Sequence, residues 1–309
     1  MSMDPQQEPV GAGPGSATVA PAPEISARAD EARDARREQF RLLRRSKTFI
    51  AGSVILGFWV ICAIFGDLIA PDDPFATDPL NDLAAPSGDH WFGTDRLGRD
   101  VLSRVIVGAQ DILVVAPLAT LLATALGTVL GLVTGYFRGA VDDVVSRIID
   151  AFLALPVIIL GAVAIVALGP SNSTLIIVIG LAFAPVIART VRAAVLTERE
   201  YEYVAAARLR NENTPYILFA EILPNVSGPI MVEFTVRLGY AIFTVATLSF
   251  LGLGIQPPAP DWGLQIFEQY GLISGGYWWP VLFPALAVAS LVTAVNLMAD
   301  GISQAFERG

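Results

Sequence analysis

The chain is 309 residues long, 54% hydrophobic and only 16% charged, with a mean hydropathy of +0.58, a balance that excludes an ordinary soluble domain. The formal charge of −9 is spread over connecting segments instead of forming one patch, which speaks against nucleic-acid binding. The single cysteine, Cys62, excludes an intrachain disulfide and sits in an apolar run, where a buried, inert thiol is expected.

Residues 1–25 are rich in Pro, Gly, Ala and Gln and are expected to be a disordered tail, since they carry too little apolar surface to order. Residues 26–47 read as a basic amphipathic helix, with Phe40, Leu42 and Leu43 near its end, suited to lying on membrane lipid. A plain positive flank to the first span is the alternative. Six runs then approach or exceed the roughly 20 residues that cross a hydrocarbon core about 30 Å thick. They are Thr48 to Ala70, Ile112 to Phe137, Ala151 to Gly169, Pro170 to Ala188 with a continuation to Leu196, Val226 to Ile255, and Trp278 to Ala299. The predicted fold class is therefore an all-α polytopic membrane protein whose six-helix domain covers 48–302, followed by a tail at 303–309.

Lys and Arg set the expected orientation. Residues 28–47 hold eight of the twenty, 138–147 hold two and 189–210 hold five, whereas 71–110 hold three and 256–277 none. The positive-inside rule then places both termini and the loop 197–224 in the cytoplasm, and the loops 71–110 and 256–277 outside. In the first outside loop, Gly93 and Gly98 bracket a turn, and Val101, Leu102, Val105 and Ile106 predict a short helix leading into the second span. In the other, Tyr277, Trp278 and Trp279 read as an interfacial aromatic belt.

Several chemistries are absent. The only lysine, Lys47, lacks a glycine-rich phosphate cradle, so the chain is not expected to hydrolyse nucleotide. The only histidine, His90, excludes two-histidine metal motifs within one chain and reads as a solvated loop residue. Glu233 and Arg237, four apart on the fifth span, can pair along one helix face; they either form an interhelical polar pair or line a pathway.

The stretch YVAAARLRNENTPYILFAEILPN, Tyr203 to Asn225, is punctuated like the surface of a soluble protein. Thr197 and Glu200 have capping-box spacing and are expected to start a helix that runs through Tyr203 to Arg210. Asn211 tolerates the left-handed conformation of a helix C-cap. Thr214 is the expected N-cap and Pro215 the first residue of a second helix, closed by Pro224. Ala205, Ala206 and Ala207 leave a face of little bulk on which a partner could dock.

These residues resemble the cytoplasmic loop of bacterial ABC importer permeases, whose motif reads Glu-Ala-Ala, three residues, Gly, nine residues, Ile, one residue, Leu-Pro. Here Ala205-Ala206-Ala207, Asn211 and Leu223-Pro224 fall at those spacings, with Ala205 in place of Glu, Asn211 in place of Gly and Glu221 at the Ile position. HWFGTDRLGRDVLSR from His90, GYFRG from Gly135, LSFLGLGIQPPAPDWG from Leu248 and ADGI from Ala299 are similar to the oligopeptide, dipeptide and nickel branch, second permease type. The resemblance runs from about Phe40 to Ile302. It implies a type I importer permease fold in the bacterial inner membrane, half of a pore shared with a homologous permease, and an extracytoplasmic substrate-binding protein. It also implies two ATPase domains that bind ATP and Mg, with no cofactor in this chain. The ATPase contact would fall on Tyr203, Ala205, Ala206, Ala207, Arg208 and Asn211. The expected cargo is oligopeptides or dipeptides, with nickel chelates, glutathione or haem as alternatives, and a self-powered secondary carrier as the competing class.

Overall fold

The computed structural model describes residue 43 and residues 45–307. The expected tail at 1–25 and nearly all of the expected amphipathic helix at 26–47 lie outside the described residues. Among the described residues there are ten helical elements. α1 is Lys47–Ile69, α2 Val101–Tyr136, α3 Ala140–Leu153, α4 Val157–Leu168, α5 Asn172–Glu198 and α6 Glu202–Leu209. A compound segment comes next, called α7 here: Thr214–Tyr216, a π-helical stretch Ile217–Ile222, and Leu223–Asn225. α8 is Ser227–Phe250, α9 is Trp262–Gln269 continued by a 3-10 turn Tyr270–Gly275, and α10 is Trp279–Glu307. Among the described residues the only extended pairing is a bridge between Thr94 and Asp100.

Five of these helices, α1, α2, α5, α8 and α10, are long and apolar enough to cross a membrane. The expected third span differs from its sequence reading. Its uncharged run is broken at Pro156, and the segments Asp142–Leu153 and Val157–Leu168 meet at 86°. Proline lacks an N–H and its ring disfavours helix in the residue before it, so α3 stops at Leu153 and α4 restarts with Pro156 as its N-cap. The bent pair makes the sixth crossing if it counts as one span. The short helix expected before the second span is not separate either. It is the first two turns of α2, which runs unbroken for 36 residues, capped by the Asp100 side chain on the Ser103 N–H.

The most extensive helix contact joins α2 to α5. Gly127, Gly131 and Gly135 recur every fourth residue on α2 and face Ile187, Val191 and Val195 of α5. A Cβ at Gly131 would lie 2.6 Å from the Val191 Cβ, and one at Gly135 2.7 Å from the Val195 Cβ. Bare backbone is what lets the two axes approach this closely, the usual way apolar helices gain contact where water does not drive them together. α1 packs on α2 and α10, and α8 fills the space between α2, α5 and α10. α3 is tied to α5 by the two-pronged pair of Arg192 on Asp142, at 2.7 and 2.6 Å, and by Arg189 on Asp150 at 2.7 Å. Cys62 is buried, as expected.

Candidate functional site

Three places carry polar or exposed features beyond helix packing: a cap at one end of the bundle, an ion pair within α8, and the α6–α7 elbow at the other end.

In the cap, Gly93 and Gly98 both adopt positive φ, 73° and 72°, and a side chain at Gly98 would collide with the Asp78 carbonyl. The turn they bracket lets Asp95 accept from the N–H groups of Leu97 and Arg99, at 2.8 and 3.0 Å, and from Arg99 Nε at 2.6 Å. Arg99 reaches on to Glu268 in α9 at 3.0 Å, and Arg104, almost wholly buried, donates to the Pro74 carbonyl at 3.0 Å. Trp262 is fully buried; its Nε1 donates to the Val105 carbonyl at 2.8 Å and its ring packs edge-on against Trp59. Charges this deep persist only when paired and hydrogen-bonded, and here the Arg99–Glu268 and Arg104–Pro74 bonds tie separate segments together. Asp261 caps α9 through the Leu264 N–H at 2.8 Å, while its Oδ2 has no hydrogen-bond partner among the described residues. Burial pushes its carboxyl up to about 6, and the neighbouring Asp111 charge adds to the effect.

Two sequence readings of the cap need correction. Trp279 is not an interfacial anchor: it is buried, and its Nε1 donates to the Thr94 carbonyl at 3.0 Å. Tyr277 and Trp278 remain exposed. His90 is not a freely solvated loop residue, because its Nδ1 lies 3.0 Å from Asp100 Oδ1 and 3.7 Å from Asp72 Oδ2. These three side chains bring one ligand atom each within 4.8 Å of one another, the arrangement that could hold a metal ion among the described residues. With a neutral imidazole the same contact is a hydrogen bond to the carboxylate that caps α2.

In α8, Arg237 Nε donates to Glu233 Oε1 at 2.6 Å, so the pairing expected from the spacing forms. The Arg237 guanidinium lies 5.0 Å from the centroid of the Tyr240 ring, and Thr190 of α5 approaches Glu233 Oε2 at 3.5 Å. Between α8, α9 and α10 an open hollow of about 680 Å³ is lined by Phe243, Thr247, Phe250, Ile266, Val288 and Val292 among others.

At the elbow the expected capping box does not form. Thr197 lies inside α5, which ends at Glu198, and the N-cap of α6 is Tyr201. Continued helix won over the local cap because Arg199, just past the end of α5, donates to the Gly135 and Tyr136 carbonyls at the end of α2. The Asn211 reading holds: its φ is +58°, one residue beyond the Arg210 cap. The next cap is Asn213, whose Oδ1 accepts from the Tyr216 N–H at 2.9 Å, one residue before the expected Thr214. Pro224 does not close α7. The chain runs on through it, and the preceding turn widens to π geometry, with the Leu223 N–H donating to the Leu218 carbonyl. That widening accommodates a ring that would clash with the carbonyl four residues back.

The low-bulk face is narrower than the three alanines suggested. Ala205 and Ala206 are exposed, but Ala207 is fully buried with Val204 against the body of the protein. Tyr203 is half-buried; its hydroxyl donates to Glu198 Oε1 at 2.8 Å and accepts from Asn225 Nδ2 at 3.1 Å. Burial, reinforced by the Glu198 carboxylate, holds the phenol well above its ordinary range, so it acts as a neutral donor. Arg208 is exposed and sits over the Tyr136 ring at 5.0 Å. Around the alanines stand uncovered apolar groups, Leu209 at 84% exposure with Tyr201, Tyr216 and Phe219 about half exposed.

Comparison with known proteins identifies the family. Residues 127–308 match the family model described as "Binding-protein-dependent transport system inner membrane component", and residues 35–86 match "N-terminal TM domain of oligopeptide transport permease C". A dipeptide transport system permease protein from Alkalihalophilus pseudofirmus is 38% identical over 88% of this chain and 89% of its own length. One from Bacillus subtilis is 35% identical over 87% and 84%, and a glutathione transport system permease protein from Escherichia coli is 37% identical over 90% and 92%. Among solved structures, a chain of the MetNI methionine ABC transporter, in inward-facing conformations, aligns with TM-score 0.53 at 22% identity, covering 66% of this chain and 95% of that one. That likeness shows the fold: an all-helical type I importer permease. With its apolar helices and these matches, the chain belongs to the family of binding-protein-dependent transport system inner membrane components, as a multi-pass permease of the bacterial inner membrane.

Proposed function

We propose that this permease forms half the pore of an ATP-driven importer of dipeptides or oligopeptides, and that the α6–α7 elbow is where ATPase domains dock. The observation that carries the docking is the uncovered apolar face at Ala205, Ala206, Leu209, Tyr216 and Phe219 on a segment that the chain itself holds rigidly. A group as exposed as Leu209 gains by burial under a partner, and a connecting loop without one has no use for it. Tyr203 and Ala207 then act from behind, fixing the helix on the body, while Ala205, Ala206, Arg208 and Asn211 face outward. In this arrangement the elbow, both termini and the loop 197–224 are cytoplasmic, the cap loops 71–110 and 256–277 meet the substrate-binding protein, and a homologous permease completes the pore. ATP and Mg are bound by the ATPase subunits. Because Ala205 offers no carboxylate, packing carries the contact, and ATP shifts the pore only by its difference in affinity for the two states.

The peptide reading rests on the relatives, of which two are dipeptide permeases; glutathione, itself a peptide, is the alternative that the Escherichia coli relative favours. Proteoliposomes holding this chain, a second permease and ATPases, with binding protein outside, take up dipeptide only with ATP inside. Ala206→Trp abolishes uptake while leaving the membrane domain folded. Uptake by this chain alone without ATP refutes the reading.

A further inference from the structure

The ion pair in α8 has an open side. The Arg237 guanidinium is held at its Nε edge by Glu233 and on one face by Tyr240, and no partner approaches its two terminal nitrogens among the described residues. Inside an apolar bilayer an unmatched donor fork is costly. Glu233 is also incompletely engaged: Oε1 takes the Arg237 bond, and Oε2 meets only the distant Thr190 hydroxyl. Both side chains are partly exposed, 20% and 13%, and the open face of α8 continues outward through Tyr240 to Phe243 at the rim of the 680 Å³ hollow. That volume is within the range of roughly 300–1,000 Å³ in which proteins hold small organic ligands.

What would fill the fork is a second carboxylate, since two parallel N–H groups match its two oxygens. We propose that Arg237 is a receptor for the C-terminal carboxylate of the cargo peptide in transit, with Glu233 Oε2 placed to accept from its ammonium group. This deepens the peptide-import reading and rests on it. Glu233 and Tyr240 position the guanidinium, so the fork is presented without a search over rotamers, and the cargo exchanges one charge partner for another on leaving. A site that only touched, and did not trap, would leave transport fast.

The test uses the assembled transporter of both permeases and the ATPases, without binding protein, and measures equilibrium binding of dialanine and of dialanine amide. The wild type is expected to prefer the free acid by about tenfold, the scale of one charge-assisted bidentate contact. Arg237→Gln brings that ratio to about one, and Arg237→Lys retains part of it. An undiminished preference in Arg237→Gln, or no preference in the wild type, overturns the proposal. Should Arg237→Gln fail to assemble, a dipeptide carrying a photoreactive C-terminal residue decides on the wild type. Labelling of residues 236–241 supports the site, and labelling elsewhere on either permease overturns it. Dialanine uptake in the complete proteoliposome separates the two failures: without uptake the peptide reading falls and this site with it, whereas uptake with an undiminished preference in Arg237→Gln removes only the site.

Discussion

At the cap end of the bundle Trp262 and Arg104 are almost wholly buried, each bonded to a segment far away in sequence; at the elbow end Leu209 stands 84% exposed. Both ends are polar, loop-rich and outside the apolar spans, yet they spend their side chains in opposite ways. The cap satisfies most of its buried polar groups, leaving Arg104 Nε, Asp261 Oδ2 and Gln269 Oε1 without a hydrogen bond among the described residues. Asp95, Arg99, Arg104 and Glu268 form a chain of ion pairs that links the loop after α1 and the start of α2 with α9, so its geometry is set by this chain alone. The elbow satisfies only its inner side, through Tyr203, Ala207 and the Arg199 bonds to α2, and leaves its outer side unfinished. A surface built to be completed by another chain looks like the second, and a platform that must hold its shape without one looks like the first.

Substitutions sharpen or break this contrast according to where they fall. The largest effect on stability is expected for Trp262→Ala in the cap, which removes a fully buried ring and its hydrogen bond. It costs about 3–5 kcal/mol, read as a lower unfolding temperature of the detergent-solubilised protein. If the cap tolerates it, the cap is not self-sufficient and the contrast fails.

Next in size is Asp261→Asn. The folded carboxyl titrates near 6 and the unfolded one near 4, so the folded state binds the extra proton and stability falls as pH rises from about 4 to about 6, then levels. Asn keeps an oxygen for the Leu264 N–H and has no charge to bury. The variant is expected to abolish that slope and to exceed the wild type by on the order of 2–3 kcal/mol above pH 7. Thermal unfolding followed from pH 4.5 to 8 checks this; parallel curves for the two proteins would contradict it.

Tyr203→Phe, on the inner side of the elbow, removes one donor to Glu198 and the acceptor for Asn225, and should cost about 1 kcal/mol with partial loss of ATPase co-purification. Leu209→Asp, on the outer side, is expected to change stability by less than about 0.5 kcal/mol while stripping the ATPase chains during purification. A Leu209→Asp variant that retains stoichiometric ATPase would show that the uncovered face is not the docking surface.

The spans were legible because a bilayer imposes one coarse requirement, an apolar run of sufficient length, and five of the six runs coincide with long helices. The sixth shows where that reading ends. Hydropathy does not see Pro156, but the backbone does, and the run folds as two pieces at 86°. The Glu233–Arg237 pair and the left-handed Asn211 followed from local geometry alone and are found as expected. Three of the misread residues are decided by partners beyond their local window: Thr197 by Arg199 reaching α2, Trp279 by the Thr94 carbonyl, His90 by Asp100. The glycine row at 127, 131 and 135 was visible as a spacing and went unread; it is the signal that would have identified α2 and α5 as the central pair.

The length of α2 carries one more consequence. At 1.5 Å per residue its 36 residues reach about 54 Å, well beyond the bilayer core. Its first turns are clamped in the ion-paired cap by Arg104, and its last carbonyls are gripped by Arg199 at the foot of the elbow. Although Pro117 interrupts its hydrogen-bond ladder, the helix is continuous, and a helix of about that length acts as a lever in which each degree of tilt at one end displaces the other by about 1 Å. If a partner pushes on the elbow as proposed, this single helix connects the push directly to the cap end of the bundle.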